Sequence, residues 1–97
     1  MSGSAPAAPE ARLERHPDAL YRWLLDGVLV AGPRSDEPLH LTTPGDAVWA
    51  VMAEPRTPAT VAALLGEVFG VPAPVVRTDI APVLDALLAV GALRAVH

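Results

Sequence analysis

The chain contains no cysteine, no lysine, no asparagine and no glutamine, and only two tryptophans, one tyrosine and one phenylalanine among 97 residues. Without cysteine there is no disulfide staple, no thiolate metal site and no thiol redox chemistry. The N-terminus lacks a basic-then-apolar leader, so no secretory signal is expected and the cytoplasm is the expected location. No apolar run approaches the ~20 residues that span a bilayer, so no membrane partner is expected. Catalytic groupings are missing as well. The serines are Ser2, Ser4 and Ser35, none framed by Gly-x-Ser-x-Gly, and there is no glycine-rich phosphate loop. His16, His40 and His97 lack i, i+4 partners, so no metal is expected. Asp46 and Asp79 read as helix-start residues rather than an acid/base pair. The expectation is a non-enzyme without a cofactor. Seven arginines against eleven acidic residues leave a net charge of −4. A nucleic-acid binder needs a basic face to neutralise phosphates, and that charge is absent.

What is present fits one small domain with a thin core. Residues 1 to about 12 are small, prolyl and polar and cannot offset the entropy of ordering. Arg12 to Ala19 is ambiguous, with a helical turn as one option. We therefore place a disordered tail over 1–15 and a single domain over 16–97. Tyr21–Leu25 and Val28–Ala31 flank Asp26-Gly27, a hairpin signal because both runs are apolar and β-prone. After the turn-rich Gly32–Pro38, Leu39 and Leu41 alternate with His40 and Thr42, the period-two pattern of a half-buried strand. Pro38 at its start suits an edge strand, since proline cannot donate to a ladder.

Everything after this strand has helical period. Thr43-Pro44 reads as an N-cap followed by proline at the first helical position, opening a helix to about Ala53. Trp49 and Met52 share one face of it, so the indole is expected in the core under the strands. Thr57-Pro58 repeats the start signal, and Val61, Leu64, Leu65 and Val68 form an amphipathic stripe that Gly70 terminates. A last helix spans about Pro74 to Val90 and ends at Gly91. Pro82 inside it predicts a kink, or a late start near Thr78-Asp79. Arg94–His97 is expected to fray. The fold class is thus α+β, with a three-stranded antiparallel sheet followed by three helices.

An edge strand has unpaired N–H and C=O groups that accept an extended peptide as an added strand. Leu39–Thr42 is that edge. His40 is then either a solvated strand residue or a contact to a docked peptide. Arg77, which interrupts the apolar start of the last helix, is either solvated or Asp-paired, or a ligand contact.

The ordered set Leu39-x-Leu41, Ala47-Val48-Trp49, Thr57-Pro58-x-x-Val61-x-x-Leu64, Phe69-Gly70-Val71 and Asp79-Ile80-x-x-Val83-Leu84-x-x-Leu87-x-x-x-Gly91-x-Leu93 resembles the PqqD-like proteins, also called RiPP recognition elements. The resemblance covers about residues 21–94. Pro82 and the segment Val71-Pro72-Ala73-Pro74 depart from it. It implies a winged helix-turn-helix-like domain that binds the leader segment of a ribosomally made precursor peptide and presents it to a separate modifying enzyme. The implied groove lies between Leu39–Thr42 and the last helix, lined by Val76, Arg77, Ile80 and Val83. Two other readings stay open at this point. One is a winged-helix DNA-binding protein, which the charge disfavours. The other is a structural adaptor or dimerisation module, in which a homodimer pairs through the same edge.

Overall fold

In the computed structural model, which describes residues 10–96, the elements run β1 (Leu13–Arg15), β2 (Leu20–Leu24), β3 (Gly27–Ala31), β4 (Leu39–Leu41), α1 (Gly45–Val51), α2 (Pro58–Phe69), α3 (Ala73–Ala89) and β5 (Leu93–Ala95). The expected α+β architecture is present: an antiparallel sheet in the order β2-β3-β4, then three helices. A second, two-stranded sheet joins β1 to β5.

The hairpin forms, but one residue away from the expected turn. Leu25 and Asp26 make the turn, and Gly27 is the first residue of β3, opposite Leu24. The glycine serves the sheet rather than the turn. A Cβ on Gly27 would stand 2.0 Å from the Leu41 carbonyl oxygen, so only glycine lets β4 close on this corner. Register then sorts the faces. Val28 and Val30 pair with Leu41 and Leu39 on one side and with Trp23 and Tyr21 on the other. These residues share the face turned to the helices, because directly opposite residues project the same way.

The helices follow the sequence closely at α2. Thr57 accepts from the Thr60 N–H at 3.1 Å, Pro58 opens the helix, and Gly70 closes it with φ 68°. At α1 the expected cap is displaced. Pro44, not Thr43, occupies the cap position without a side-chain bond, because the N–H groups of Gly45 and Asp46 already donate to the Thr42 carbonyl. The late start for the last helix is also corrected: α3 is continuous from Ala73 through Pro82 to Ala89. Pro72 and Pro74 sit where helical N–H groups have no partner anyway, and Pro82 is on the exposed side. Gly91 ends α3 with φ 77°, as the Ala92 N–H reaches back to the Leu87 carbonyl at 2.9 Å.

Two further expectations change at the chain ends. Leu13–Arg15 is a strand inside the fold, not part of a tail ending at residue 15, and Leu93–Ala95 is its partner rather than a frayed end. Leu13 is 7% exposed and exchanges backbone bonds with Arg56, while Glu14 accepts from Arg94 Nε at 2.7 Å. Within the rest of the tail assignment, residues 10–12 have no regular structure, and residues 1–9, like His97, lie outside the described residues.

The core lies between the inner sheet face and the three helices. Trp49, Val28, Val30, Val48, Val61, Ile80 and Leu87 are wholly buried. Trp49 packs edge-on against Tyr21 at 5.4 Å, and the Arg15 guanidinium stacks on both rings at 4.5 and 4.7 Å. Arg15 also donates to the Trp49 carbonyl at 2.5 Å, placing a cation at the negative end of α1. Thus β1, β2 and α1 are tied at one point.

Candidate functional site

A sheet of three strands has two open edges, here β2 and β4. The closing pair Leu24–Gly27 flanks a two-residue turn and exchanges both hydrogen bonds, and alternation along the ladder follows from it. Leu39 and Leu41 therefore direct their backbone groups to β3. The N–H and C=O of His40 and the N–H of Thr42 face away from the sheet. The Thr42 carbonyl is already occupied by α1. Side chains alternate independently: Leu39 is half-buried and Leu41 buried on the inner face, while His40 and Thr42 are exposed. The His40 ring meets Asp26 at 3.3 Å across the outer face.

Beside this edge runs α3. Val83 approaches Leu41 across Gly45, where a Cβ would meet Leu41 at 3.1 Å and Val83 at 3.6 Å. Further along, the Val90 carbonyl accepts from Arg34 at 2.9 Å and crowds Gly32, at the Leu39 end of the sheet. The helix thus passes β4 in the opposite sense. With 3.6 residues per turn, Asp79, Val83, Ala86 and Val90 share one stripe at i, i+4, i+7, i+11. Asp79 is exposed and the other three are half-buried. This is an apolar groove wall with an acid at one end.

Of the helix residues expected to line the groove, only Val83 lies on this flank. Val76 and Ile80 are 4% and 0% exposed and belong to the core. They hold α3 in place but offer a ligand no surface. Arg77 sits about 120° around the helix from Val83 and pairs with Glu10, beside Leu13 and Pro58. It faces the N-terminal segment, not β4. Asp79, Ala86 and Val90 were missed. Their spacing is legible in the sequence, but which flank meets the strand depends on tertiary packing.

The second edge differs in character. Tyr21 and Trp23 direct backbone groups outward on β2, and their rings, 47% and 51% exposed, stack edge-on at 6.4 Å. Leu20, 71% exposed, adds apolar surface on the outer face, where Leu29, Ala31 and Pro38 line a shallow depression.

Among the described residues no three His, Asp or Glu side chains converge in a metal-holding arrangement. No single described helix is long and apolar enough to cross a membrane. The chemistry on offer is strand pairing plus side-chain selection.

Comparison with known proteins gives a consistent assignment. Residues 27–93 match the family described as coenzyme PQQ synthesis protein D (PqqD). No curated protein matches the chain. Among solved structures it is similar to the solution NMR structure of the PqqD truncation of Methylobacterium extorquens PqqCD. That protein is described as a functional, stand-alone RiPP recognition element. The match has a TM-score of 0.69 and 18% identity, and covers 86% of this chain and 88% of that chain. At that identity it establishes the shared fold.

Proposed function

The chain belongs to the PqqD family, and on that premise we propose that it binds the leader segment of a ribosomally synthesised precursor peptide by strand addition to β4. The observation that carries this reading is the free edge at His40 and Thr42 lying beside the half-buried stripe of α3. Backbone pairing supplies affinity without regard to sequence, and the groove between Leu39, Leu41, Val83, Ala86 and Val90 selects apolar side chains. A leader that is unstructured when free loses about 2–5 kcal/mol to ordering, so binding is moderate and reversible. That suits a carrier that releases its cargo.

The chain leaves the peptide chemically unchanged and presents it to a separate modifying enzyme of the same pathway. Its described residues bring together no three side chains that could hold a metal ion. The exposed β2 edge, with Leu20, Tyr21 and Trp23, stays open for the enzyme, or for a twin copy, while β4 holds the leader. The decisive experiment is calorimetric titration with the leader of a short precursor peptide sought among the neighbouring genes. Saturable binding with an unmodified peptide mass supports the reading; no heat and no spectral change with that leader defeats it.

A further inference from the structure

The apolar surface of the molecule is concentrated on the β2 edge. Four of the seven large apolar side chains exposed among the described residues, Leu20, Tyr21, Trp23 and Leu25, fall on this strand or the turn after it. Natural edge strands are blunted by shortness, proline or charge. β4 has three residues and follows Pro38, whereas β2 has five residues, no proline and one charged side chain, Arg22. The backbone groups of Tyr21 and Trp23 point outward from this edge. Just before them, the Ala19 N–H donates to the His16 carbonyl, while the Ala19 carbonyl accepts from no described backbone N–H. The Tyr21 ring is held from the inner side by Trp49 and Arg15, so the patch is preorganised.

We propose that β2 pairs antiparallel with β2 of a second copy across a two-fold axis centred on Tyr21. The sheet then runs β4-β3-β2-β2-β3-β4, and both β4 edges stay free at its ends, so the proposal does not depend on the leader-binding reading. A two-fold axis makes a strand edge its own complement, provided the outward backbone groups meet. Three registers satisfy that condition. Centred on Trp23, the flanking pairs fall on Leu25, which has left the strand for the turn. Centred on Arg22, each Tyr21 exchanges two hydrogen bonds with Trp23 of the other copy. Arg22 then stands directly opposite its twin, and like charges so placed are destabilising. Centred on Tyr21, the two tyrosines exchange a pair of bonds and each Trp23 N–H donates to the Ala19 carbonyl of the other copy. The number of bonds is the same, but Arg22 now faces Leu20 of the other copy, where its aliphatic stem covers apolar surface. The Trp23 ring likewise meets the small Ala19. Charge therefore selects the register on Tyr21. Each half-exposed ring offers roughly 100 Å², which leaves the patch below the ~800 Å² per partner of a standard interface. The dimer is accordingly weak and concentration-dependent.

The test is sedimentation equilibrium of the full chain from micromolar to near-millimolar concentration, where the mass should rise from one copy to two. Leu20 and Arg22 are both exposed, and far-UV circular dichroism checks that variants there keep the fold. Leu20→Lys sets a cation opposite Arg22 of the other copy, and Leu20→Glu sets an anion there. The Leu20→Glu chain should therefore dimerise about ten-fold or more tightly than Leu20→Lys, although it adds to a net charge of −4. The double variant Leu20→Lys, Arg22→Glu should regain the dimer that Leu20→Lys loses. Amide exchange at Tyr21 and Trp23 should slow as concentration rises, with His40 and Thr42 unchanged. A single copy at every concentration overturns the proposal and leaves leader binding at β4 standing. Equal dimerisation of the two Leu20 variants, or concentration-dependent protection at His40 and Thr42 in place of Tyr21 and Trp23, overturns it as well.

Discussion

Trp49→Ala removes the largest wholly buried side chain and should destabilise the domain by about 3–5 kcal/mol. In a domain of this size that is a large share of the total stability. Trp49→Phe should cost far less, because a ring still fills the space and the indole N–H it removes is buried without a partner. Chemical denaturation resolves the pair, and equal midpoints for wild type and Trp49→Ala would remove the indole from the core. Arg77 supplies a contrasting prediction. Since it pairs with Glu10 on the flank away from β4, Arg77→Glu should leave leader affinity unchanged in calorimetry. A loss of affinity would return Arg77 to the site. Both residues are prominent in the sequence, and of the two readings open for Arg77 the structure contains the pairing with an acid. A tryptophan on an apolar stripe has one favourable destination, whereas an arginine beside that stripe can face either flank.

Elements differ in how locally their instructions are written. α2 carries its own start and stop, and Thr57→Ala should cost about 1 kcal/mol by leaving the Thr60 N–H uncapped. Thermal unfolding reads this directly, and an unchanged midpoint would show that the cap contributes nothing. The β2-β3 hairpin was equally legible, although Gly27 turned out to serve the approach of β4 rather than the turn. By contrast, β1 and β5 are three residues each and pair across most of the chain. Neither has enough apolar alternation to announce itself, and only the partner makes each a strand. The same limit applies to the groove. Leu39–Leu41 was visible as an edge, and the stripe Asp79-Val83-Ala86-Val90 was present as spacing, but only packing at Gly45 brings the two together.

For the molecule as a whole, charge and strand edges decide the partners. The net charge of −4 and the single arginine on α3 predict no retention on duplex DNA at physiological salt. A salt-sensitive mobility shift at low micromolar protein would instead favour the nucleic-acid reading. The two open edges are the more searching question, because β2 and β4 both offer unpaired backbone groups. Amide hydrogen exchange with and without a bound leader peptide tells them apart residue by residue. On this account the leader protects the His40 and Thr42 amides and leaves Tyr21 and Trp23 exchanging as before. Protection at Tyr21 and Trp23, or saturating binding with no protection at His40 and Thr42, would contradict strand addition at β4.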